Sequence, residues 1–366
     1  MIYLDNAATT LIKPPSVGLA VQRAIRTLAS PGRGGHRPAM WAAETVFACR
    51  TEAAELFHVA EPERVVFTMN ATHGLNLALH SLAKPGDRVL ISGFEHNSVT
   101  RPLHAIGAEI CPVARKLFDP EGAAADFARH LPAADLVVCT HVSNVFGYVL
   151  PVYEIAELCK KHGVPLVVDA SQSAGVLDIN MEKLGAAFVA MPGHKALMGP
   201  QGTGILLCGQ QGRPLLHGGS GSDSMQQQMP DYLPDRLEAG TPNVCGIAGL
   251  LEGIRYVKRQ GCEHILQHEQ HLLNVAKETL AGSELTCFTG DNQCGVLSVK
   301  SDRMDSETLA ARLSEKGICV RSGLHCAPYA HESAGTLPDG TVRLSFSPFV
   351  SPRQVQLACR ILRQIV

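Results

Sequence analysis

Short apolar runs recur along the chain, each only long enough for one buried strand. They lie at Arg64–Thr68, Arg88–Ser92, Leu136–His141, Val164–Asp169, Ala187–Met191 and Gly204–Cys208, and are rich in Val, Ile, Leu and Phe. Between several of them lie segments with apolar residues at helical spacing and a breaker at the end. Thr72–Ala83 runs into Lys84-Pro85-Gly86-Asp87, and Val152–His162 runs into Gly163 and Pro165. Strand and helix in alternation predict an α/β fold, a mainly parallel sheet covered by helices. From about Gly246 the pattern changes to a long helical stretch through Ile254–Leu280, then strand candidates near Gly295–Lys300 and Thr341–Ser347. This predicts a large domain over residues 16–250 and a smaller α+β domain built from residues 1–15 and 251–366.

Composition narrows the class. The 366 residues are 45% hydrophobic and 18% charged, which suits a globular chain with a sizeable core and excludes disorder as the main state. A net charge of −2 gives no basic field for a nucleic-acid backbone. No run reaches the roughly 18 apolar residues of a membrane span, and Met1-Ile2-Tyr3-Leu4-Asp5-Asn6 lacks a leader's basic-then-apolar pattern, so a cytoplasmic protein is expected. The 12 cysteines form no CxxC pair, and some, such as Cys139 and Cys208, fall inside apolar runs. They read as buried thiols in a reducing compartment, not as a disulfide framework or a closed zinc site. His264, His268 and His271 fall at i, i+4 and i+7 of a helix, a spacing that could hold a metal. No carboxylate that would orient them can be inferred from sequence, so the face reads as polar and no metal is expected.

In an open parallel sheet, ligands bind outside the carboxyl ends of the strands. Four of the apolar runs end in chemistry there. One leads into His141-Val142-Ser143-Asn144, one into Asp169-Ala170-Ser171-Gln172, one into Pro192-Gly193-His194-Lys195, and one into Thr68-Met69-Asn70-Ala71-Thr72-His73-Gly74. Taken singly, Asp169 reads as a helix cap, Lys195 as a surface lysine and Thr72 as an N-cap. Taken together they supply an acid, an amide, a lysine and a helix N-terminus at neighbouring strand ends. Pyridoxal phosphate needs that set: a lysine for a Schiff base, a carboxylate opposite the pyridine nitrogen and a phosphate cradle. Lys195, Asp169 and Thr72, with the amides opening the helix from Ala71, fill those roles.

The chain resembles the class V aminotransferase superfamily of fold-type I pyridoxal phosphate enzymes, and within it the cysteine desulfurase and selenocysteine lyase group. The matching stretches run nearly end to end: Tyr3–Thr9, Phe67–Asn76, Glu95-His96-Asn97, Thr140–Gly147, Val168–Gln172, Gly193-His194-Lys195, Leu237–Asn243 and Arg321–Pro328. The resemblance implies a seven-stranded type of sheet in the large domain and a homodimer whose site is shared between subunits. It assigns His96 to stacking on the pyridine ring and Asn144 and Gln172 to the cofactor's O3′ side. Thr72 and His194 would contact the phosphate, and Thr241 would reach the phosphate of the neighbouring subunit. It also implies that Cys326 attacks the substrate sulfur, leaving alanine and an enzyme persulfide. Arg321, His325 and Gly323 surround that thiol in sequence, the polar and flexible setting such a nucleophile needs. Arg343 matches the family's carboxylate-binding arginine, with Arg321, Asn144, Ala7 and His36 as further substrate-side candidates.

Departures from the family pattern are Pro192, where many relatives have a phosphate-binding serine, and His73, which follows the phosphate threonine in place of the common glutamate or threonine. The stretch Ala330–Thr336 between Cys326 and Arg343 is a third, and could alter access or the acceptor surface. L-cysteine is the leading substrate and L-selenocysteine the alternative; the sulfur acceptor is not written in the chain. An aminotransferase, which would not need Cys326, and a catalytically idle dimeric binding protein are less favoured readings.

Overall fold

A computed structural model describes residues 1–32 and 34–366. The chain opens with a two-residue strand, β1 (Ile2–Tyr3). Seven strands follow: β2 (Val65–Thr68), β3 (Arg88–Ser92), β4 (Glu109–Val113), β5 (Leu136–Thr140), β6 (Leu166–Asp169), β7 (Phe188–Pro192) and β8 (Gly204–Cys208). They form one sheet in the order β2-β8-β7-β6-β5-β3-β4, parallel throughout except for β8, which runs antiparallel to both neighbours. Most of its strands are buried along their length because helices cover both faces, which is why they read as unbroken apolar runs.

Of the seven strands of this sheet, one was not anticipated from sequence. Glu-Ile-Cys-Pro-Val of β4 carries Pro112, which cannot donate to a ladder, and β4 accordingly forms the sheet edge. The long helical stretch expected through Ile254–Leu280 is two helices, Val244–Gln260 and Cys262–Leu280. Gly261 between them adopts φ +80°, a left-handed conformation in which glycine carries no Cβ penalty, and its N–H closes the first helix on Val257 O at 2.8 Å.

The C-terminal part adds β9 (Leu285–Phe288), β10 (Val296–Ser301), β11 (Ile318–Cys319) and β12 (Val342–Ser345). β12, β10 and β9 make an antiparallel sheet, while β11 pairs in parallel with β1. Leu4 joins the core formed by Leu272, Leu297, Leu309, Leu344 and Leu362, so the N-terminal residues pack with the C-terminal ones. The helix Val244–Gln260 runs through residue 250, and its Ile247, Leu250 and Ile254 belong to the core of the large sheet. We propose that the boundary between the two parts falls at Gly261. Among the described residues, no helix is long and apolar enough to cross a membrane.

Candidate active site

Register brings the chemistry to one edge. Thr140 lies opposite Asp169 across β5 and β6, and Asp169 opposite Ala190 across β6 and β7, so the residues that follow these strands emerge side by side. They open a cavity of about 240 Å³ that also takes its walls from the N-terminal segment and the Arg321–Cys326 loop. Of the fourteen residues singled out from sequence for catalysis or binding, twelve line it: Ala7, Ala71, Thr72, His96, Asn144, Asp169, Gln172, His194, Lys195, Arg321, Cys326 and Arg343. A larger cavity of about 480 Å³ lies against β10 and β12 among Lys300, Asp302, Arg303, Asp305, Arg312 and Asp339, and shares no lining residue with this one.

Lys195 follows the Pro192-Gly193-His194 turn, and burial pushes its amine down to about 8, with Arg343 and Arg321 adding to the effect and Asp169 opposing it. Asp169 is 3% exposed, and its Oδ1 accepts the Ser171 backbone N–H at 2.9 Å, which fixes the carboxylate at the end of β6. Asn70 caps the helix Ala71–Leu82 by accepting the His73 N–H at 2.9 Å, aiming the first turn, with Ala71 and Thr72, into the cavity. His96 caps the helix Asn97–Ile106: its Nδ1 accepts the Ser98 N–H at 3.0 Å, so the ring proton belongs on Nε2. Burial pushes the His96 imidazole down to about 4 and keeps it neutral. His194 contacts Thr9 Oγ1 through Nδ1 at 3.1 Å, and its carbonyl accepts from Thr10 and Lys13.

Cys326 is the one exposed cysteine among the twelve, all of which are free. Burial pushes the thiols of Cys159 and Cys359 up to about 12, well away from reactivity. The loop that presents Cys326 is strained: His325 and Cys326 are consecutive non-glycine residues in the left-handed region, at φ +48° and +57°. Two donors hold the turn in place, Asn144 Nδ2 on His325 O at 2.8 Å and the Asn97 backbone N–H on Cys326 O at 2.7 Å. Asn144 therefore organises the cysteine loop as well as facing the cavity.

The two arginines differ. Arg343 is 1% exposed, paired through Nη2 with Asp5 Oδ1 at 2.8 Å and donating through Nη1 to Asn144 O at 2.9 Å, while its Nε has no partner. Arg321 is exposed, and its guanidinium makes no ion pair among the described residues. Gln172 donates to Ala7 O at 3.0 Å, and the Ala7 N–H donates to Ser345 Oγ at 2.8 Å, tying the N-terminal segment to the cavity wall.

Two of the singled-out residues lie elsewhere. His36 is an exposed cap of the helix Arg37–Leu56, its Nδ1 accepting the Ala39 N–H at 3.4 Å, and it does not line the cavity. Its ring nitrogen serves the helix end, which accounts for a histidine in the Gly-Gly-His turn. Thr241 lies on an exposed segment beside a neighbouring pocket that also includes His73. Glu238 anchors that segment, accepting from the Arg50 guanidinium and from the Phe67 backbone N–H at 2.5 Å. Of the three histidines on the helix Cys262–Leu280, His268 engages Val350 O through Nε2 at 2.9 Å. Among the described residues, no group of three or more metal-ligating side chains is assembled.

Sequence reasoning missed three polar groups. Ser98 Oγ lies 2.8 Å from Thr72 Oγ1 and 2.9 Å from His96 Nδ1. Glu95, fully buried, joins β3 to β5 by accepting from Ser92 Oγ at 2.6 Å and Thr140 N at 2.7 Å. Glu269 lines a small cavity of about 30 Å³ that also touches Lys195 and Gln172. Glu95 opens a motif that was read and Ser98 directly follows it, and the two-residue spacing from capping His96 to Ser98 could have flagged the serine. Glu269 had no sequence signal.

These buried groups set the pH dependence of stability. Burial lowers His96, His141, His194 and His331 to about 4 and His325 to about 2. Below about pH 6.5 the unfolded chain binds protons that the folded one excludes, so these five groups withdraw stability on acidification. Burial raises Glu95 and Glu269 to about 8, so both hold a proton when folded, and their contribution is lost as pH rises from 4.5 toward 8. Five groups against two make acid the stronger perturbant. In urea unfolding of the cofactor-free protein, the midpoint is expected to be highest near pH 6.5, to fall on both sides and to fall more steeply toward pH 4.5; a flat profile would refute this burial pattern.

The residues present fit pyridoxal phosphate on their own chemistry: an amine of depressed basicity, a buried carboxylate, a neutral imidazole and a hydroxyl-bearing helix N-terminus share one cavity with an unpartnered arginine Nε. The sequence model of the family Aminotransferase class-V matches residues 2–357, and the chain belongs to that family. Among curated relatives, it is 33% identical over 384 aligned residues to the probable cysteine desulfurases of Pyrococcus abyssi and of Methanothermobacter thermautotrophicus, covering 100% of this chain and 94% of each relative. Its fold is similar to the apo structure of cysteine desulfurase from Thermococcus onnurineus NA1, with a TM-score of 0.90 and 32% identity over 100% of this chain and 94% of that one.

Proposed function

We propose that this protein is a pyridoxal phosphate-dependent cysteine desulfurase that moves sulfur from L-cysteine onto Cys326 and releases L-alanine. The observation that carries the reading is the exposed Cys326 held at the rim of the cavity that contains Lys195 and Asp169. An aminotransferase has no use for that thiol.

Asp169 would face the pyridine nitrogen, His96 the ring, Asn144 and Gln172 the O3′ side, and Ala71, Thr72 and His194 the phosphate. When bound, pyridoxal phosphate supplies an electron sink for the pair left at Cα when its proton is removed. Lys195 Nζ takes that proton; a depressed amine is partly neutral near pH 8 and can act as base. Arg321, with no ion pair to break, and the free Nε of Arg343 would hold the substrate carboxylate. The Cys326 thiolate attacks the substrate sulfur. The carbon–sulfur bond breaks, a sulfur–sulfur bond forms, Cβ takes a proton in place of sulfur, and Lys195 returns a proton to Cα, giving alanine and a persulfide. An exposed Cys326 can then meet an acceptor.

We read the working unit as a homodimer in the cytoplasm. Thr241 is exposed and outside its own chain's cavity, as a residue serving a partner would be. Met40, Trp41 and Phe47 on one helix and Leu19 and Ile25 on another leave an apolar surface open to a second copy.

The test is alanine formation by the purified protein loaded with pyridoxal phosphate, given L-cysteine or L-selenocysteine. Alanine from L-cysteine, with matching persulfide on the protein, is the expected result. Alanine from L-selenocysteine alone would make it a selenocysteine lyase, and exchange with a keto acid without alanine from either would make it an aminotransferase.

A further inference from the structure

Position 192 gives the phosphate side of the cavity nothing to donate. Pro192 lines it at the end of β7 and has neither an N–H nor a hydroxyl. Ser98 lines the same cavity while only 9% exposed, with its Oγ between Thr72 Oγ1 and His96 Nδ1. The His96 nitrogen already accepts the Ser98 backbone N–H, so the serine hydroxyl duplicates a contact the ring does not need. That proton is available to a ligand. Thr72 and Ser98 also stand in the first turns of two helices, Ala71–Leu82 and Asn97–Ile106, whose N-terminal ends favour an anion.

We infer that Ser98 is a phosphate-binding residue of this chain, the second hydroxyl of the cradle beside Thr72, making up for the donor that Pro192 lacks. The inference rests on the pyridoxal phosphate reading above. Ser98 and Thr72 each direct an O–H to a phosphate oxygen in place of their present contacts, and the Ser98 N–H keeps the His96 ring in place.

The experiment is titration of the cofactor-free protein with pyridoxal phosphate and, separately, with pyridoxal, which lacks the phosphate, both followed by near-visible absorbance. Ser98→Ala is expected to weaken pyridoxal phosphate binding about tenfold, the loss of one hydrogen bond to a charged group. Pyridoxal binding should be unchanged, and Ser98→Thr, which keeps the hydroxyl, should bind pyridoxal phosphate as the wild type does. Inorganic phosphate competing against pyridoxal phosphate should lose affinity for the Ser98→Ala protein by the same factor, a readout that does not depend on the ring. Equal weakening of pyridoxal and pyridoxal phosphate would overturn the inference, because the serine would then act through His96. Unchanged pyridoxal phosphate binding would overturn it too. A wild-type protein that binds neither compound overturns the cofactor reading itself, a result separable from either of these.

Discussion

Cys326→Ala is expected to lower alanine release from L-cysteine by about a thousandfold or more while leaving the near-visible absorption of the loaded protein intact. The absorption depends on Lys195 and Asp169, whereas Cys326 is exposed and its loop is held through the carbonyls of His325 and Cys326, which an alanine keeps. Without its thiol nothing on the chain is placed to receive the sulfur: six of the other eleven cysteines are buried and none is exposed. The large effect also follows from how the loop is held. Two adjacent left-handed residues cost about 1–3 kcal/mol each, a strain kept in place by the hydrogen bonds from Asn144 and Asn97. The measurement is steady-state alanine from L-cysteine and from L-selenocysteine, wild type against variant. Loss with L-cysteine alone assigns Cys326 to sulfur. Wild-type rates with L-cysteine would mean that a free thiol, not Cys326, takes the sulfur, and the persulfide step would have to be abandoned.

The site was legible in sequence where function sits directly after a strand. Asp169, Lys195 and Asn144 follow short apolar runs that pair in parallel, and Thr72 follows β2, which points the same way because β8 runs antiparallel between β2 and β7. Contacts between distant parts of the chain were not legible. Arg343 was read as a carboxylate-binding arginine, and its pairing with Asp5, which lies 338 residues away in sequence, was not foreseen. No local pattern encodes that pair; it exists because β12 brings Arg343 beside the N-terminal segment, where Asp5 bridges to Ser345. Ser98 and Glu95 were hidden by a different cause. Both flank a histidine whose role drew attention, and a serine in a first helical turn ordinarily needs no explanation beyond the turn. The helix break at Gly261 was readable, since glycine ends helices more often than it continues them; the apolar spacing on either side masked it.

Two amines near the cavity compete for the role given to Lys195, and chemistry can separate them. Burial pushes both Lys195 and Lys13 down to about 8, and Lys13 Nζ lies 3.2 Å from the carbonyl oxygen of His194, the neighbour of Lys195. Only Lys195 lines the cavity with Asp169. Lys13 already donates to Thr10 Oγ1 at 2.7 Å as well as to the His194 carbonyl, and so braces the turn from outside. Borohydride reduction of the loaded protein followed by peptide mapping is therefore expected to find the cofactor fixed to Lys195. Lys195→Ala should abolish that label and lower alanine formation by about ten-thousandfold, the upper range for loss of a positioned acid–base group. Lys195→Arg should do no better, since a guanidinium stays charged and neither bonds covalently to the cofactor nor takes the Cα proton. Added methylamine should restore part of the lost rate in Lys195→Ala, because the vacated space admits a small amine. Label on Lys13 with Lys195 unmodified would remove Lys195 from the mechanism and leave the cavity without the base that the reaction requires.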